Sequence, residues 1–362
     1  MSTPDTSTPA VTPDLQALRE RLWAAVIDRD EYAAAATVCG AVDAAVTPED
    51  VLLDVIAHVQ HRVGTEWAAN RITVAQEHAA TAINDHVIAL LSHHPACRRS
   101  ADMGRVTVAC VDGEWHALPA RLLAEVLRLR GWDVDFLGAH VPTPHLIAHL
   151  HQHGPDAVAV SCSIPTLLPT AHAAIAACQS AGVRVLAGGA AFGTDGRYAH
   201  LLGADAWAPD ARAAAERLSR GFAMRFSSDH PRGDLPHLAD QEYPLITARA
   251  AQLVKATVDD LADLFPAMRT YTDLQRQHTT EDIAYIVDFL ATAIYTDDDE
   301  LFTNFITWTA SILEARRVPA ASLHPALDLL AAQLQNLPRA QRMLHAAHDS
   351  LNQMSFDPTP TA

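Results

Sequence analysis

The sequence predicts a multidomain chain of mixed α and α/β class, with a helical N-terminal segment, a parallel α/β domain and an all-α C-terminal domain. Three observations predict it. Apolar residues recur at helical spacing from about residue 12 to 95 and again beyond 245. Between those segments, short apolar runs end in small or polar residues and lead into helical patterns, as βα units require. A Ser-, Asp-, Pro- and Gly-containing stretch, 222–244, reads as a linker before the last domain.

Residues 1–11 are rich in Ser, Thr and Pro and read as a disordered tail. From 12 to 95, Thr12-Pro13 before Asp14-Leu15 and the run Thr47-Pro48-Glu49-Asp50 mark helix starts, and four helices fit the length. In the domain at 103–221, Val106 to Val111 reads as a buried strand and Leu118 to Leu129 as the helix after it, joined by a loop from Asp112 to Ala117. Ala157 to Val160 is a second strand, ending in Ser161-Cys162-Ser163. Val183 to Leu186 is a third, closed by Gly188-Gly189. In the C-terminal domain, 245–354, Thr257-Val258-Asp259-Asp260 and Thr279-Thr280-Glu281-Asp282 read as helix caps. Asp297 to Glu300 opens a helix running to about Arg317, and Leu323–Leu337 and Gln341–Met354 supply two more. Phe265, Phe289, Phe302, Phe305 and Trp308 are the expected anchors of a compact bundle of four to six helices, with 355–362 as a second tail.

The loop at 112–117 carries the chemistry. His116 stands two residues after Glu114, at the carboxyl end of a strand, where open α/β sheets bind their ligands. An imidazole with a carboxylate on its second nitrogen has the parts of a metal ligand and its support. Alone, the triplet Glu114-Trp115-His116 reads as well as a capping acid beside a surface His. Its register with Ser161, Ser163 and the Gly188-Gly189 pair is what carries the assignment.

That register resembles the cobalamin-binding domain of methionine synthase and its relatives, whose signature is Asp-x-His-x-x-Gly, a distant Ser-x-Leu or Ser-x-Thr, and a Gly-Gly pair. The resemblance implies a Rossmann-like, flavodoxin-like sheet and His116 as the lower cobalt ligand. Imidazole suits such a transition metal. It also implies a slot for the displaced nucleotide tail beside Ser161, Ser163, Gly188 and Gly189, with Glu114, Trp115 and Thr166 among the cofactor contacts. Two positions depart from the pattern: Glu114 replaces Asp, and Pro119 stands where the family has Gly. Upstream, Trp67 followed by Glu77-His78 resembles the light-sensing cobalamin proteins of the CarH type. There a four-helix bundle caps the upper corrin face. By that resemblance Trp67, Glu77 and His78 would contact the adenosyl group of adenosylcobalamin. The His that follows the Trp in those proteins is Ala68 here, so an upper imidazole would come from His58, His61 or His78, or the ligand would be water. The order of domains resembles the photocobilins, where a helical, globin-like domain binds biliverdin. No Cys lies beyond residue 222, so a bilin there would be noncovalent, with Arg269, Arg276, Arg316 and Arg317 for its propionates and Tyr285, Tyr295 or Trp308 for its rings. A packed dimerisation bundle is the alternative.

Composition narrows the rest. There are 43 acidic against 26 basic residues, a net charge of −17, which argues against a nucleic-acid partner, and no basic domain precedes the bundle. Five scattered cysteines imply neither a disulfide framework nor a zinc site. No apolar run approaches the roughly 20 residues of a membrane span, and no secretory signal is visible, so the expected location is cytoplasmic. The 20 His residues include His149, His151 and His153, expected at the surface. The leading reading is a non-enzymatic photoreceptor using adenosylcobalamin, with biliverdin as a second chromophore, light-dependent homo-oligomerisation and an unspecified signalling partner. The other readings are a corrinoid carrier in methyl transfer and the cobalamin subunit of a mutase, which would need a separate barrel.

Overall fold

The computed structural model describes residues 14–221, 235–264, 268 and 270–354. Both expected tails, Phe265 and Arg269 lie outside them.

The N-terminal helices are α1 (Leu15–Ile27), α2 (Glu31–Asp43), α3 (Pro48–Asp50), which continues through a π-helical stretch (Val51–Ile56) into α4 (Ala57–Ala68), and α5 (Val74–Ser92). These make four rods, as the length predicts. Asp14 caps α1 by accepting from the Gln16 and Ala17 N–H groups, while Thr12 and Pro13 of the same start signal lie outside the described residues. Thr47 caps α3 with Pro48 in the first turn. Thr73 and Gln76 form a reciprocal capping box at α5.

The α/β domain follows as β1 (Arg105–Cys110), α6 (Leu118–Leu129), β2 (Asp133–Gly138), α7 (Thr143–His153), β3 (Ala157–Ser161), α8 (Leu168–Ser180), β4 (Arg184–Gly188), α9 (Arg197–Leu201), β5 (Ala206–Trp207) and α10 (Ala211–Ser219). All strands are parallel in the order β2-β1-β3-β4-β5, the flavodoxin-like doubly wound arrangement with its switch point between β1 and β3. Alternation along the strands divides the core. Val106, Val108 and Cys110 pack with α6, α10 and the N-terminal helices. Ala109, Val111, Val158 and Val160 pack with α7, α8 and the C-terminal helices. The sheet is thus buried on both faces, which explains why its central strands read as continuous apolar runs.

The C-terminal helices are α11 (Glu242–Leu264), α12 (Asp273–Thr296), α13 (Asp299–Ala315), α14 (Leu323–Gln333) and α15 (Pro338–Gln353). Three expectations fail here. Thr257 is no cap: it is fully buried inside α11 and accepts from Gln333 Nε2 at 2.9 Å. Thr279 lies within α12, whose capping box is Thr272 with Gln275. The expected linker also ends too late, because Leu235 is buried, Pro236–Asp240 forms a 3-10 turn, and α11 has begun by Glu242. Arg339 holds that turn through Asp240 at 2.6 Å. Phe302 and Phe305 are buried and Phe289 stacks on Phe305 at 3.7 Å, whereas Trp308 is half exposed and anchors little. His149 pairs with Asp135 and stacks on His153.

An arginine fastens the N-terminal helices to the α/β domain. Arg212 on α10 reaches Asp54 (2.6 Å), Asp50 (2.8 Å) and Glu49 (3.3 Å), and Arg130 pairs with Glu49 at 2.7 Å. Hydrogen bonding from Arg130 holds the Glu49 carboxyl below its usual range, and Arg212 does the same to Asp54. Groups with lowered folded pKa stabilise the fold above their unfolded values, 4.5 and 3.8 here, and lose that contribution as pH falls through the folded ones. Arg212→Ala is therefore expected to cost about 1 kcal/mol at neutral pH and to flatten the loss of stability between pH 5 and 3, as followed by urea denaturation.

Candidate cobalamin site

The loop after β1 and the loop after β3 splay apart at the switch point, and one carboxylate ties them together. Glu114 is fully buried. Its Oε1 accepts from the His116 ring Nδ1 at 2.6 Å and from the His116 backbone N–H at 2.8 Å. Its Oε2 accepts from the backbone N–H groups of Ser163 at 2.6 Å and Ile164 at 3.1 Å. Burial alone would raise this carboxyl, but the donors from His116 and Ser163 win and hold it down to about 2. The reverse effect raises His116 above the usual imidazole range, chiefly through the Glu114 hydrogen bond, with the charge of Glu77 adding to it.

The result is an oriented imidazole. Nδ1 is engaged by Glu114, and Nε2 carries no hydrogen bond among the described residues on a side chain that is 60% exposed. Trp115 is also exposed and stacks on His140 at 4.7 Å, while the Gly113 N–H donates to His140 Nδ1 at 2.9 Å. Nothing in the sequence pattern singles out His140, whose left-handed backbone (φ 48°) just past β2 brings it under Trp115.

Behind the loop lies a slot of about 110 Å³ between α6, α10 and the carboxyl ends of β3 and β4. Ser161, Gly188 and Gly189 line it, as the motif implies, together with Pro119, Ala208 and Ala211. Pro119 thus takes the departed glycine's place as part of the wall, in the first turn of α6. A methyl added at Gly188 would meet only the Ala208 carbonyl, at 3.6 Å, and otherwise open space. Small side chains at the slot and a free imidazole nitrogen at the same edge fit a corrinoid with its nucleotide tail displaced.

The remaining motif residues are distributed differently. Ser163 contributes its backbone N–H to Glu114. Thr166 sits in the 3-10 turn Pro165–Leu167, against α12. Glu77 and His78 occupy the first turn of α5 as a hydrogen-bonded pair, and Thr81 also donates to Glu77. Trp67 ends α4, and Arg316 of the C-terminal helices lies over its ring at 5.2 Å, with Asn70 donating to the Ala315 carbonyl. His58 faces Arg19 and Glu20 of α1, and burial lowers it. Of the three candidate upper imidazoles, His78 is the one beside Glu77.

Comparison with known proteins agrees with this geometry. A B12 binding domain model matches residues 104–219, and a second B12 binding domain model matches residues 18–92. Dimethylamine corrinoid protein 3 of Methanosarcina mazei is 27% identical over 149 residues, 40% of this chain and 88% of its own length. The HTH-type transcriptional repressor CarA of Myxococcus xanthus is 31% identical over 165 residues, 43% of this chain and 51% of the repressor, so the chain spans about half of that relative. Among solved structures, the monomethylamine corrinoid protein of Methanosarcina barkeri shares the fold at 19% identity and a TM-score of 0.51, covering 57% of this chain and 99% of that one. Two B12 binding domains, at residues 18–92 and 104–219, thus account for the N-terminal helices and the α/β domain.

Proposed function

We propose that the chain is a light sensor that holds adenosylcobalamin between its N-terminal helices and its α/β domain. The observation that carries the reading is His116, held by Glu114 at the sheet edge, together with Trp67 near the end of α4 and the Glu77–His78 pair in the start of α5. When bound, adenosylcobalamin supplies a cobalt–carbon bond that light cleaves.

The residues supply placement and readout. His116 Nε2 would hold the metal, and Glu114 fixes the ring's tautomer and angle. Ser161, Gly188 and Gly189 would receive the tail. Trp67, Glu77 and His78 would contact the upper ligand, with Ala68 leaving no imidazole next to the Trp. Losing that ligand would deprive Trp67 and Glu77 of a partner, and the balance between two placements of the helices on the α/β domain would move by the ligand's difference in affinity for them. Trp67 also touches Arg316, and Tyr295 of α12 donates its O–H to His172 Nδ1 on α8 at 2.7 Å. Both contacts give the C-terminal helices a means of sensing the shift, with oligomeric state as the output.

A second chromophore, noncovalent biliverdin, extends this proposal. The C-terminal helices contain a groove of about 440 Å³ between α11 and α12, lined by Ala250, Val254, Val258, Ala284, Lys255 and Asp288. Lys255 is the cation there. Of the residues singled out from sequence, Arg276, Arg316, Arg317, Tyr285, Tyr295 and Trp308 do not line it, and two of them, Arg316 and Tyr295, are engaged with Trp67 and His172. The competing reading is a corrinoid carrier for methyl transfer, favoured by the extent of the methylamine corrinoid protein match.

One experiment separates these. Full-length protein reconstituted with adenosylcobalamin is expected to change both its absorption spectrum and its size-exclusion profile on illumination, and added biliverdin to give a stoichiometric red-shifted band. An unchanged spectrum and size would sink the sensor reading. Methyl loading in darkness from a methyl donor and a partner methyltransferase would support the carrier.

A further inference from the structure

We propose that the cleft between the N-terminal helices and the outer face of the α/β domain is a second ligand site, for a nucleotide-sized organic phosphate. The cleft encloses about 530 Å³ and shares no lining residue with the cobalamin slot. One wall comes from α5 (Ile88, Leu91) and the other from α6 and the start of β2 (Leu129, Val134), with the segment 97–101 across its edge.

Charge identifies the ligand class. Four arginines line the cleft, Arg98, Arg99, Arg121 and Arg128, in a chain whose net charge is −17. Only two carboxylates line it with them. Glu125, almost fully buried, lies 3.0 Å from Arg121 and 2.7 Å from Arg128, so it positions the inner pair. Asp133 is paired with Arg105, outside the cleft, at 2.7 Å. Arg99 donates only to the Ala96 and Arg98 carbonyls, and Arg98 has no carboxylate partner among the described residues. Two guanidinium groups are therefore uncompensated at the edge, above two that are held in place. Guanidinium forks match phosphate oxygens bidentately.

A second observation points to an organic body. Trp132 lines the cleft at 8% exposure, and its indole N–H has no acceptor among the described residues. Buried donors ordinarily find partners, so an unmatched one beside a cavity marks where a ligand acceptor belongs. The volume falls in the range of small-molecule sites, about 300–1,000 Å³, well above what phosphate alone would fill. Because both domains contribute walls, an occupant bridges them. Its site adjoins the far end of α5 from Glu77 and the helix that follows His116, so occupancy bears on the same interdomain seam as the cobalamin.

The test is calorimetric titration of the full cobalamin-loaded chain with ATP, pyrophosphate and adenosine. ATP is expected to bind one to one, at least tenfold more tightly than pyrophosphate, with no binding of adenosine and with affinity falling as salt is raised. Arg98→Ala/Arg99→Ala should weaken ATP at least tenfold, while Arg21→Ala, away from the cleft, should leave it unchanged. Both edge arginines are exposed, and unaltered cobalamin uptake would verify folding; Arg98→Glu provides a second variant with the same expected direction. No binding of millimolar ATP, or equal affinity in the double variant and wild type, would overturn the proposal. Pyrophosphate binding as tightly as ATP would overturn the organic body.

Discussion

Glu114→Ala is expected to destabilise the apoprotein by about 3–5 kcal/mol, the cost of breaking a fully buried charged partnership, whereas His116→Ala should cost under about 1 kcal/mol because its ring is largely exposed. The asymmetry follows from what each side chain holds. Glu114 joins the β1 loop to the β3 loop, and its removal strands the Ser163 and Ile164 N–H groups together with His116 Nδ1. Glu114→Gln should lie between, at about 2 kcal/mol, since an amide oxygen can serve one pair of donors while its NH2 faces the other. Cobalamin binding should show a different order. His116→Ala removes the metal donor outright and should abolish the imidazole-ligated absorption spectrum. Glu114→Gln keeps the donor but loosens its orientation, which for supporting carboxylates costs about 10–100-fold in affinity. Urea denaturation of the apoproteins and spectra of the cobalamin-loaded variants measure the two orders. A His116→Ala protein with the wild-type spectrum would remove His116 from the metal. A Glu114→Ala apoprotein as stable as wild type would remove the physical basis for the buried acid.

What was legible in the chain was what repeats or converges. The three central strands announce themselves as apolar runs because both sheet faces are covered, and Glu114, His116, Ser161 and the glycines share one edge because each follows a parallel strand. The edge strand β2 is only half-buried along its length and β5 has two residues, so neither carries an apolar signature. Thr257 and Thr279 misread as caps because a Thr followed by acids fits the pattern locally. The apolar period running through them, which includes Leu253, Leu261, Ile283 and Ile286, was the stronger evidence. The half of the slot formed by Ala208 and Ala211 was invisible for a different reason: alanine there serves by being small, and smallness in an alanine-rich chain carries no signal. Nor does sequence place Arg316 over Trp67, since the two lie 249 positions apart and meet only where the C-terminal end of α13 touches the end of α4.

The Gly188-Gly189 pair reads as one motif, but the two glycines are expected to fail in opposite ways. Gly189 has φ +103°, and a methyl on it would fall 2.3 Å from the Cys162 carbonyl oxygen and 2.9 Å from its carbon. Those atoms are backbone, pinned by the Cys162 N–H to the Gly188 carbonyl at 3.0 Å and by the Ala191 N–H to the Cys162 carbonyl at 3.1 Å, so neither side can give. Gly189→Ala should therefore cost about 3 kcal/mol or more, combining left-handed strain with a backbone clash, and should weaken cobalamin binding only through loss of fold. Gly188 does not have the left-handed φ of its neighbour, and its added methyl would stand at ordinary contact distance from Ala208 and otherwise in the slot. Gly188→Ala should leave the apoprotein as stable as wild type, or more so by up to about 1 kcal/mol through the unfolded state. Its methyl would occupy space the nucleotide tail needs, and overpacking of about 1–3 kcal/mol translates into roughly 5- to 150-fold weaker cobalamin binding. Thermal unfolding of the two apoproteins with equilibrium dialysis against cobalamin distinguishes them. If Gly188→Ala bound cobalamin as wild type does, the slot would not hold the tail.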